Sequence, residues 1–181
     1  IDLRQAPPFL KGENSAQAFK RIFGYLLSNS VEWQVIDRFL LEQLVKRQQT
    51  FQLLMENIEL LPDSVEIYSQ NPFLRSTNNG PPLQENRETH TSLEALNRAF
   101  ESVHKKLSIF GYSKKSPHAK GFPHPRVQLI MFDRGEFFST LDDGLQSLTK
   151  TGDLVQFSRS SSKVWLEAKE IMHGMDCRKF L

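Results

Sequence analysis

The chain has 181 residues, 39% of them hydrophobic and 14 of them Phe, which is enough apolar material for one compact domain or two small ones. The net charge of +2 excludes a strongly basic nucleic-acid binder and an acidic tail, so only local charge can indicate a binding function. The single cysteine, Cys177, excludes an internal disulfide and a four-cysteine zinc site, and it favours a reducing compartment. No apolar run is long enough to span a membrane and no signal-peptide pattern occurs, so we expect a soluble, intracellular protein.

Two apolar helices are predicted near the start of the chain. Asn14 or Ser15 caps a short amphipathic helix, and a long helix over residues 30–61 follows it. Asn29 supplies the N-cap of the long helix, and Pro62 stops it. Its apolar residues recur at steps of three, four or seven and therefore share one face. They are Trp33, Ile36, Leu40, Leu44, Phe51, Leu54, Ile58 and Leu61. We interpret this stripe as core, with a subunit interface as the alternative.

The middle of the chain contains a short strand and then a loop. Residues 64–69 alternate apolar and polar side chains, which is typical of a strand. Residues 71–90 are rich in Pro, Asn and Gly and are expected to form a flexible loop. We predict a single compact domain over 1–181 that contains this loop. The alternative is a domain boundary there, with a helical segment over 13–70 and a mixed α/β module over 91–181.

A second helix is predicted over residues 91–110. Thr91 and Glu94 match a capping box, and Gly111 is a suitable C-cap. The apolar residues of this helix form a narrow seam that would pack on the long helix or on a helix of a partner chain. The candidates for such a partner-helix interface are Leu93, Leu96, Phe100, Val103, Leu107 and Phe110.

A basic loop over residues 114–126 is the most distinctive polar feature. The segment from Ser102 to Phe132 contains no Asp or Glu, while Pro and Gly between Tyr112 and Arg126 exclude regular structure. A local positive field there favours binding of phosphate, on nucleic acid or on a phosphorylated partner, and the alternative is a solvated loop. The candidates for phosphate or nucleic-acid binding are Lys105, Lys106, Lys114, Lys115, Lys120, Arg126, Arg159 and Lys163. Only two rings, Tyr112 and Phe122, accompany the loop, fewer than single-strand binders use.

The final third allows two interpretations after a buried strand over residues 127–132 and a helix over roughly 138–151. In the first, two strands face each other across a polar tip at 159–163, which resembles the last helix and wing of a winged-helix domain over this segment alone. In the second, residues 162–172 are helical and complete a βαβ unit in 127–173, so that the fold class is α/β. We favour the hairpin because of Val164 and Trp165.

A metal-dependent nuclease of PIN-like type is the main enzymatic alternative. In the α/β interpretation Asp133 follows a parallel strand, and Glu136 and Asp153 lie nearby in sequence, with Asp142 and Asp143 between them. These carboxylates are equally typical of a turn and of a helix N-terminus. The histidines have no zinc spacing, and the single pair of His173 and Cys177 is a weak candidate for a thiol nucleophile.

The sequence therefore predicts an α+β fold, a helical body followed by a small mixed module. We expect a non-catalytic protein–protein interaction or scaffold module of a larger intracellular assembly, in the nucleus rather than the cytoplasm. The alternatives are a DNA- or RNA-binding module that uses the basic loop and the hairpin tip, and the nuclease. A second protein subunit is the expected partner, and we expect no metal, cofactor, membrane or small-molecule substrate. The chain begins with Ile1 rather than Met, which leaves open a longer protein.

Overall fold

The computed structural model describes residues 14–46, 48–74, 81–141 and 157–181, and within these ranges the fold is α+β with one mixed seven-stranded sheet. The helices are α1 (Ser15–Ser28), α2 (Leu40–Lys46), α3 (Gln48–Glu56), α4 (Arg87–Ser102) and α5 (Ser162–His173), with a 3₁₀ helix at Ile58–Leu60. The strands are β1 (Glu32–Ile36), β2 (Ser64–Gln70), β3 (Lys106–Ser113), β4 (Val127–Phe132), β5 (Gly135–Leu141), β6 (Phe157–Arg159) and β7 (Asp176–Lys179).

The order of the strands across the sheet is β6-β5-β4-β1-β2-β3-β7. Strands β1, β2 and β3 are parallel to one another, whereas β4, β5, β6 and β7 each run antiparallel to a neighbour. The central β1 thus has a parallel neighbour on one side and an antiparallel neighbour on the other. The carboxyl ends of β1, β2 and β3 consequently meet at one edge of the sheet, together with the start of β4.

The sheet separates two apolar clusters because successive strand residues point to opposite faces. One face packs against α1–α4 and holds the larger core. Its fully buried members include Phe19, Phe23, Trp33, Leu54, Ile67, Leu96, Phe100 and Ile109. The opposite face packs against α5, whose Trp165, Ala168 and Met172 belong to one apolar cluster with Ile36 and Tyr68.

Three sequence predictions are confirmed. Helix α1 begins after Asn14, whose Oδ1 accepts from the Gln17 backbone N–H at 2.9 Å while the Gln17 side chain accepts from the Asn14 backbone. The predicted strand at 64–69 is β2, and the predicted strand at 127–132 is β4. In each case the local pattern agrees with the tertiary environment.

The predicted long helix over 30–61 is wrong, because its first turn is strand β1. Every residue of β1 pairs with both β2 and β4, and Trp33 and Val35 point into the core. Asn29 is the C-cap of α1 rather than an N-cap. After β1, Asp37 Oδ1 accepts from the Phe39 backbone N–H at 3.0 Å and turns the chain into α2.

The predicted helix over 91–110 is wrong at both ends. Helix α4 begins at Arg87, with Asn86 as N-cap, and its C-cap is Val103. The next residue, His104, has a positive φ of 58°, which ends the helix and turns the chain into β3. Six residues were predicted as one seam, yet they belong to two elements. Leu93, Leu96 and Phe100 are buried on α4, and Leu107 is buried on β3, so these side chains are core and do not form a surface for a partner helix.

The interpretation of the final third is also corrected. Val164 and Trp165 lie on α5, so the winged-helix-like hairpin is wrong and the helix of the alternative interpretation is correct. The βαβ unit in 127–173 is wrong as well, because β4, β5 and β6 are antiparallel neighbours. Phe138 lies on β5 rather than on a helix, and residues 142–156 lie outside the described residues.

The segment at 71–90 is a loop only in part. Residues 87–90 belong to α4, and residues 75–80 lie outside the described residues. The sheet contains strands from both sides of this segment, and the single-domain arrangement stays a prediction. None of the helices in the described ranges combines the length and the apolar character that crossing a bilayer requires.

Candidate nucleic-acid interface

The carboxyl edge of the parallel strands is an ordered polar surface. Ligands of open sheets bind outside this edge, because the loops that follow the strands converge there. The Asp37 N–H donates to Tyr68 O at 3.0 Å, the Gln70 N–H to Arg38 O at 3.2 Å, and the Asn71 N–H to Tyr112 O at 2.8 Å. These bonds continue the sheet beyond its last paired residues and hold the three strand ends at a fixed spacing.

Two arginines lie at this edge around one aromatic ring. Arg38 Nε donates to Gln70 Oε1 at 3.0 Å, and Arg126 Nε lies 3.7 Å from Asp37 Oδ1. The guanidinium carbons of Arg38 and Arg126 lie 5.5 Å and 5.8 Å from the centre of the Phe39 ring. Asp37 is almost fully buried, whereas both arginines are partly exposed. Both guanidinium groups are thus held in place near solvent, which suits binding of a planar or tetrahedral anion.

The basic loop, residues 114–126, crosses this edge. It leaves the carboxyl end of β3 and enters β4, and since the strand order is β4-β1-β2-β3 it must pass the ends of β2 and β1. Phe122 anchors the loop, because its buried ring lies 6.1 Å from the Tyr112 ring on the α5 face. A Cβ on Gly121 would meet Lys114 Cε at 3.3 Å, so the Lys114 side chain packs against Gly121 within the loop.

The loop presents its cations to solvent. Lys114, Lys115 and Lys120 are exposed, as are His118 and His124. The absence of Asp and Glu from residues 102–132 leaves the three lysines without an acidic neighbour in sequence. With Arg38 and Arg126 they supply positive charge along the carboxyl edge.

Two of the predicted phosphate-binding lysines lie at the opposite end of β3. Lys105 Nζ donates to the carbonyl oxygens of Glu59, at 2.8 Å, and Leu61. Burial lowers the pKa of Lys105, and the charges of Asp63 and Glu59 oppose that shift. Lys105 therefore supports the chain around the 3₁₀ helix. Lys106, the first residue of β3, pairs with Ser64 at the amino end of the parallel strands, so the structure does not bring either lysine to the loop.

The two residues predicted at a hairpin tip are also apart from the basic loop. Arg159 ends β6, which is an outer strand of the sheet, and pairs with Ser139. Lys163 lies in the first turn of α5, where its Nζ is 3.8 Å from Glu167 Oε1 and both side chains are exposed. The two residues belong to separate elements, β6 and α5, and not to the two strands of one wing.

The acidic cluster of the nuclease alternative is not assembled in the described residues. Asp133 lies in the turn between antiparallel strands β4 and β5, next to Gly135 with a φ of +139°, and not after a parallel strand. Because Met131 pairs with Glu32 at the start of β1, this turn is at the far end of the sheet from the basic loop. Glu136 is exposed on β5, and Asp142, Asp143 and Asp153 lie outside the described residues. Among described side chains, no group of three His, Cys, Asp or Glu could hold a metal ion.

Sequence analysis did not single out Asp37, Arg38 or Gln70. The signal that could have found the first was an apolar pair, Val35 and Ile36, followed directly by an acidic residue, which is typical of a strand that ends at a polar edge. The assignment of this segment to a helix concealed it. Comparisons of the chain with protein-family models, with curated proteins and with solved structures find no match.

Proposed function

We propose that this protein is a non-catalytic nucleic-acid-binding module that holds a phosphate backbone along the carboxyl edge of its sheet. The observation that carries the proposal is the path of the basic loop, which joins exposed lysines to the edge where Arg38 and Arg126 lie. Lysine and arginine side chains are the usual phosphate contacts of nucleic-acid-binding proteins, and they give affinity without reading sequence.

The length of the positive surface supports a polyanion rather than a single phosphate group. The loop runs from β3 to β4, which are three strand spacings apart in the sheet. At about 4.8 Å per spacing this distance is about 14 Å. A surface of this length is wider than one phosphate group, so it can contact more than one phosphate of a nucleic-acid backbone. A chain of phosphates uses all the cations at once, and an isolated phosphate cannot.

The expected role in a larger, nuclear assembly stays part of this proposal. A scaffold function was the leading expectation from the sequence, and its candidate surface was the helical seam of six residues. Since most of that seam is core, the seam does not favour a scaffold over nucleic-acid binding.

Charge reversal in the loop is expected to abolish most of the binding. We expect the triple variant Lys114→Glu, Lys115→Glu, Lys120→Glu to bind mixed-sequence DNA and RNA about 30-fold more weakly at low salt. The plot of log affinity against log salt concentration is expected to become less steep by about 2 units, because each lost phosphate contact removes about 0.7–0.9. Fluorescence anisotropy over a salt series measures both quantities.

The matched control reverses three exposed lysines elsewhere. Lys20→Glu, Lys106→Glu, Lys163→Glu makes the same change in net charge and includes two lysines that the structure keeps away from the loop. It is expected to retain the affinity and most of the salt dependence. Equal losses in both triple variants would show that binding follows net charge, and no binding by the unmodified chain would reject the proposed function.

A further inference from the structure

A small cavity lies between the end of α5 and the strands β3 and β7, next to the anchor of the basic loop. It has a volume of about 190 Å³ and is lined by Tyr112, Lys169, Met172, His173, Met175 and Cys177. This is below the roughly 300 Å³ at which cavities for drug-sized ligands begin, and it suits one small planar heterocycle. Sequence analysis paired His173 with Cys177, and the structure places the first at the end of α5 and the second on β7.

The lining combines soft apolar surface with polar groups. The Tyr112 ring and the thioethers of Met172 and Met175 supply a flat, polarizable wall. Lys169 and His173 supply nitrogen atoms that can hydrogen-bond to a heterocycle edge. Such walls with a few polar groups are typical of sites that bind a nucleobase by stacking and edge recognition.

Lys169 is held in position inside this site. Its Nζ lies 3.8 Å from the centre of the Tyr68 ring. Burial lowers the pKa of Lys169, and the nearby Glu66, Cys177 and Glu32 partly oppose that shift. The Tyr68 hydroxyl donates to Glu66, which fixes the carboxylate on the same face of the sheet. The carboxylates of Glu66 and Glu32 would repel a phosphate group, whereas they do not repel an uncharged nucleobase.

The cavity and the basic loop share residues and neighbours. Tyr112 lines the cavity and packs on Phe122 of the loop, with ring centres 6.1 Å apart. Lys114 follows two residues later, so its backbone is at most about 7 Å along the chain from Tyr112. A nucleic-acid strand whose phosphates contact Lys114 can therefore direct one nucleobase towards the cavity.

We infer that this cavity receives one unstacked base of a single-stranded nucleic acid whose phosphates lie on the basic loop. The inference rests on the proposed function and specifies the class of nucleic acid: a duplex keeps its bases stacked and paired, so it cannot fill the cavity. Single-stranded DNA or RNA then binds through phosphates and through at least one base.

Two oligonucleotides of equal length and charge test the inference. One is a single-stranded oligothymidylate, and the other is the same backbone without bases. The base-bearing strand is expected to bind about tenfold more tightly, because stacking of a base on an aromatic wall is lost in the other. At saturating concentration the base-bearing strand is also expected to slow the alkylation of Cys177 by iodoacetamide. The abasic strand is expected to leave this rate unchanged. Cys177 is the single cysteine of the chain and is exposed, so the reaction reports on one site.

Substitutions distinguish the contribution of the cavity to binding from that of the basic loop. Lys169→Gln is expected to reduce the preference for the base-bearing strand by about threefold and to leave affinity for the abasic strand unchanged, because one hydrogen bond to the base is weakened. Lys163→Gln, an exposed lysine of the same helix outside the cavity, is expected to change neither. The triple loop variant is expected to weaken both strands equally.

The outcomes are distinguishable. Binding of both strands with equal affinity, and equal alkylation rates of Cys177, would overturn the base site while the proposed function stands. If neither strand binds, both proposals are overturned. The alkylation experiment uses the unmodified chain, so it decides the question even if the Lys169 variant folds poorly.

Discussion

Replacing Phe100 with alanine is expected to lower the free energy of unfolding by about 3–5 kcal/mol. Phe100 is fully buried on α4 and packs in the larger core between the helices and the sheet. Truncation removes most of a large apolar side chain and leaves a cavity that the surrounding strands cannot close. Chemical denaturation followed by circular dichroism measures the change, and light scattering on the same sample gives the oligomeric state.

This experiment also decides between the two interpretations of the predicted seam. If Phe100 formed an interface with a partner helix, its replacement would change association and leave the stability of the isolated chain nearly unaltered. The control is Leu166→Ala on α5, where the side chain is 62% exposed and the expected loss is below about 0.5 kcal/mol. A loss at Phe100 no greater than that at Leu166 would contradict the assignment of this residue to the core.

Replacing Gln128 with leucine is expected to destabilise the protein by about 2–4 kcal/mol, although the side chain is similar in size. Gln128 joins three strands within the core. Its Oε1 accepts from Trp33 Nε1 at 2.8 Å, and its Nε2 donates to Ser139 Oγ at 2.7 Å. Leucine cannot form hydrogen bonds, so the buried indole N–H of Trp33 and the buried hydroxyl of Ser139 lose their bonds to residue 128. Each such loss costs about 1–3 kcal/mol. Thermal or urea unfolding measures the loss.

A second substitution checks the cause. In the Gln128→Leu background, Ser139→Ala removes the hydroxyl, which is one of the two buried polar groups that lost their bond to Gln128. The double variant is therefore expected to be no less stable than Gln128→Leu alone. Gln52→Leu, an exposed glutamine on α3, is the control for the chemical change and is expected to alter stability by less than about 0.5 kcal/mol. If Gln128→Leu behaves like Gln52→Leu, the buried network does not stabilise the sheet.

Local patterns in the sequence were sufficient for part of the fold. Helix α1, with its cap at Asn14, and strands β2 and β4 were predictable because cap, period and length all agree within a few residues. Helix α5 was present among the alternatives and lost to the hairpin because β-branched and aromatic residues, Val164 and Trp165, favour strands. Tertiary packing on the sheet overrides that preference, since Trp165 and Met172 bury one face of a helix there.

The long helix failed for a different reason. The residues from Trp33 to Leu61 satisfy a helical period across four separate elements, because apolar residues are so dense that many spacings fit. The segment from Glu32 to Val35 also alternates, and pairing with β2 and β4 on both sides decides in favour of the strand. Pairing partners lie more than 25 residues away in sequence, where no local period can register them.

The candidate interface shows the same division. The basic loop could be found from the sequence, because its prolines, glycines and lysines are contiguous and exclude regular structure wherever they lie. The residues beside the loop could not be found from the sequence. Arg38 lies at the carboxyl edge that the loop crosses only because β1 lies beside β4, and the cavity beside Tyr112 exists only because α5 ends near β3.

The sequence by itself determined a mixed α+β chain, the positions of α1, β2 and β4, and a lysine-rich loop that cannot be regular. The tertiary structure alone decided that β1 is a strand, that Phe100 belongs to the core, and which arginines lie at the edge that the basic loop crosses. The physical reason is the range of the interactions. Caps, turns and local charge depend on residues a few positions apart, whereas strand order and burial depend on contacts between residues that are distant in sequence and meet only in the folded sheet.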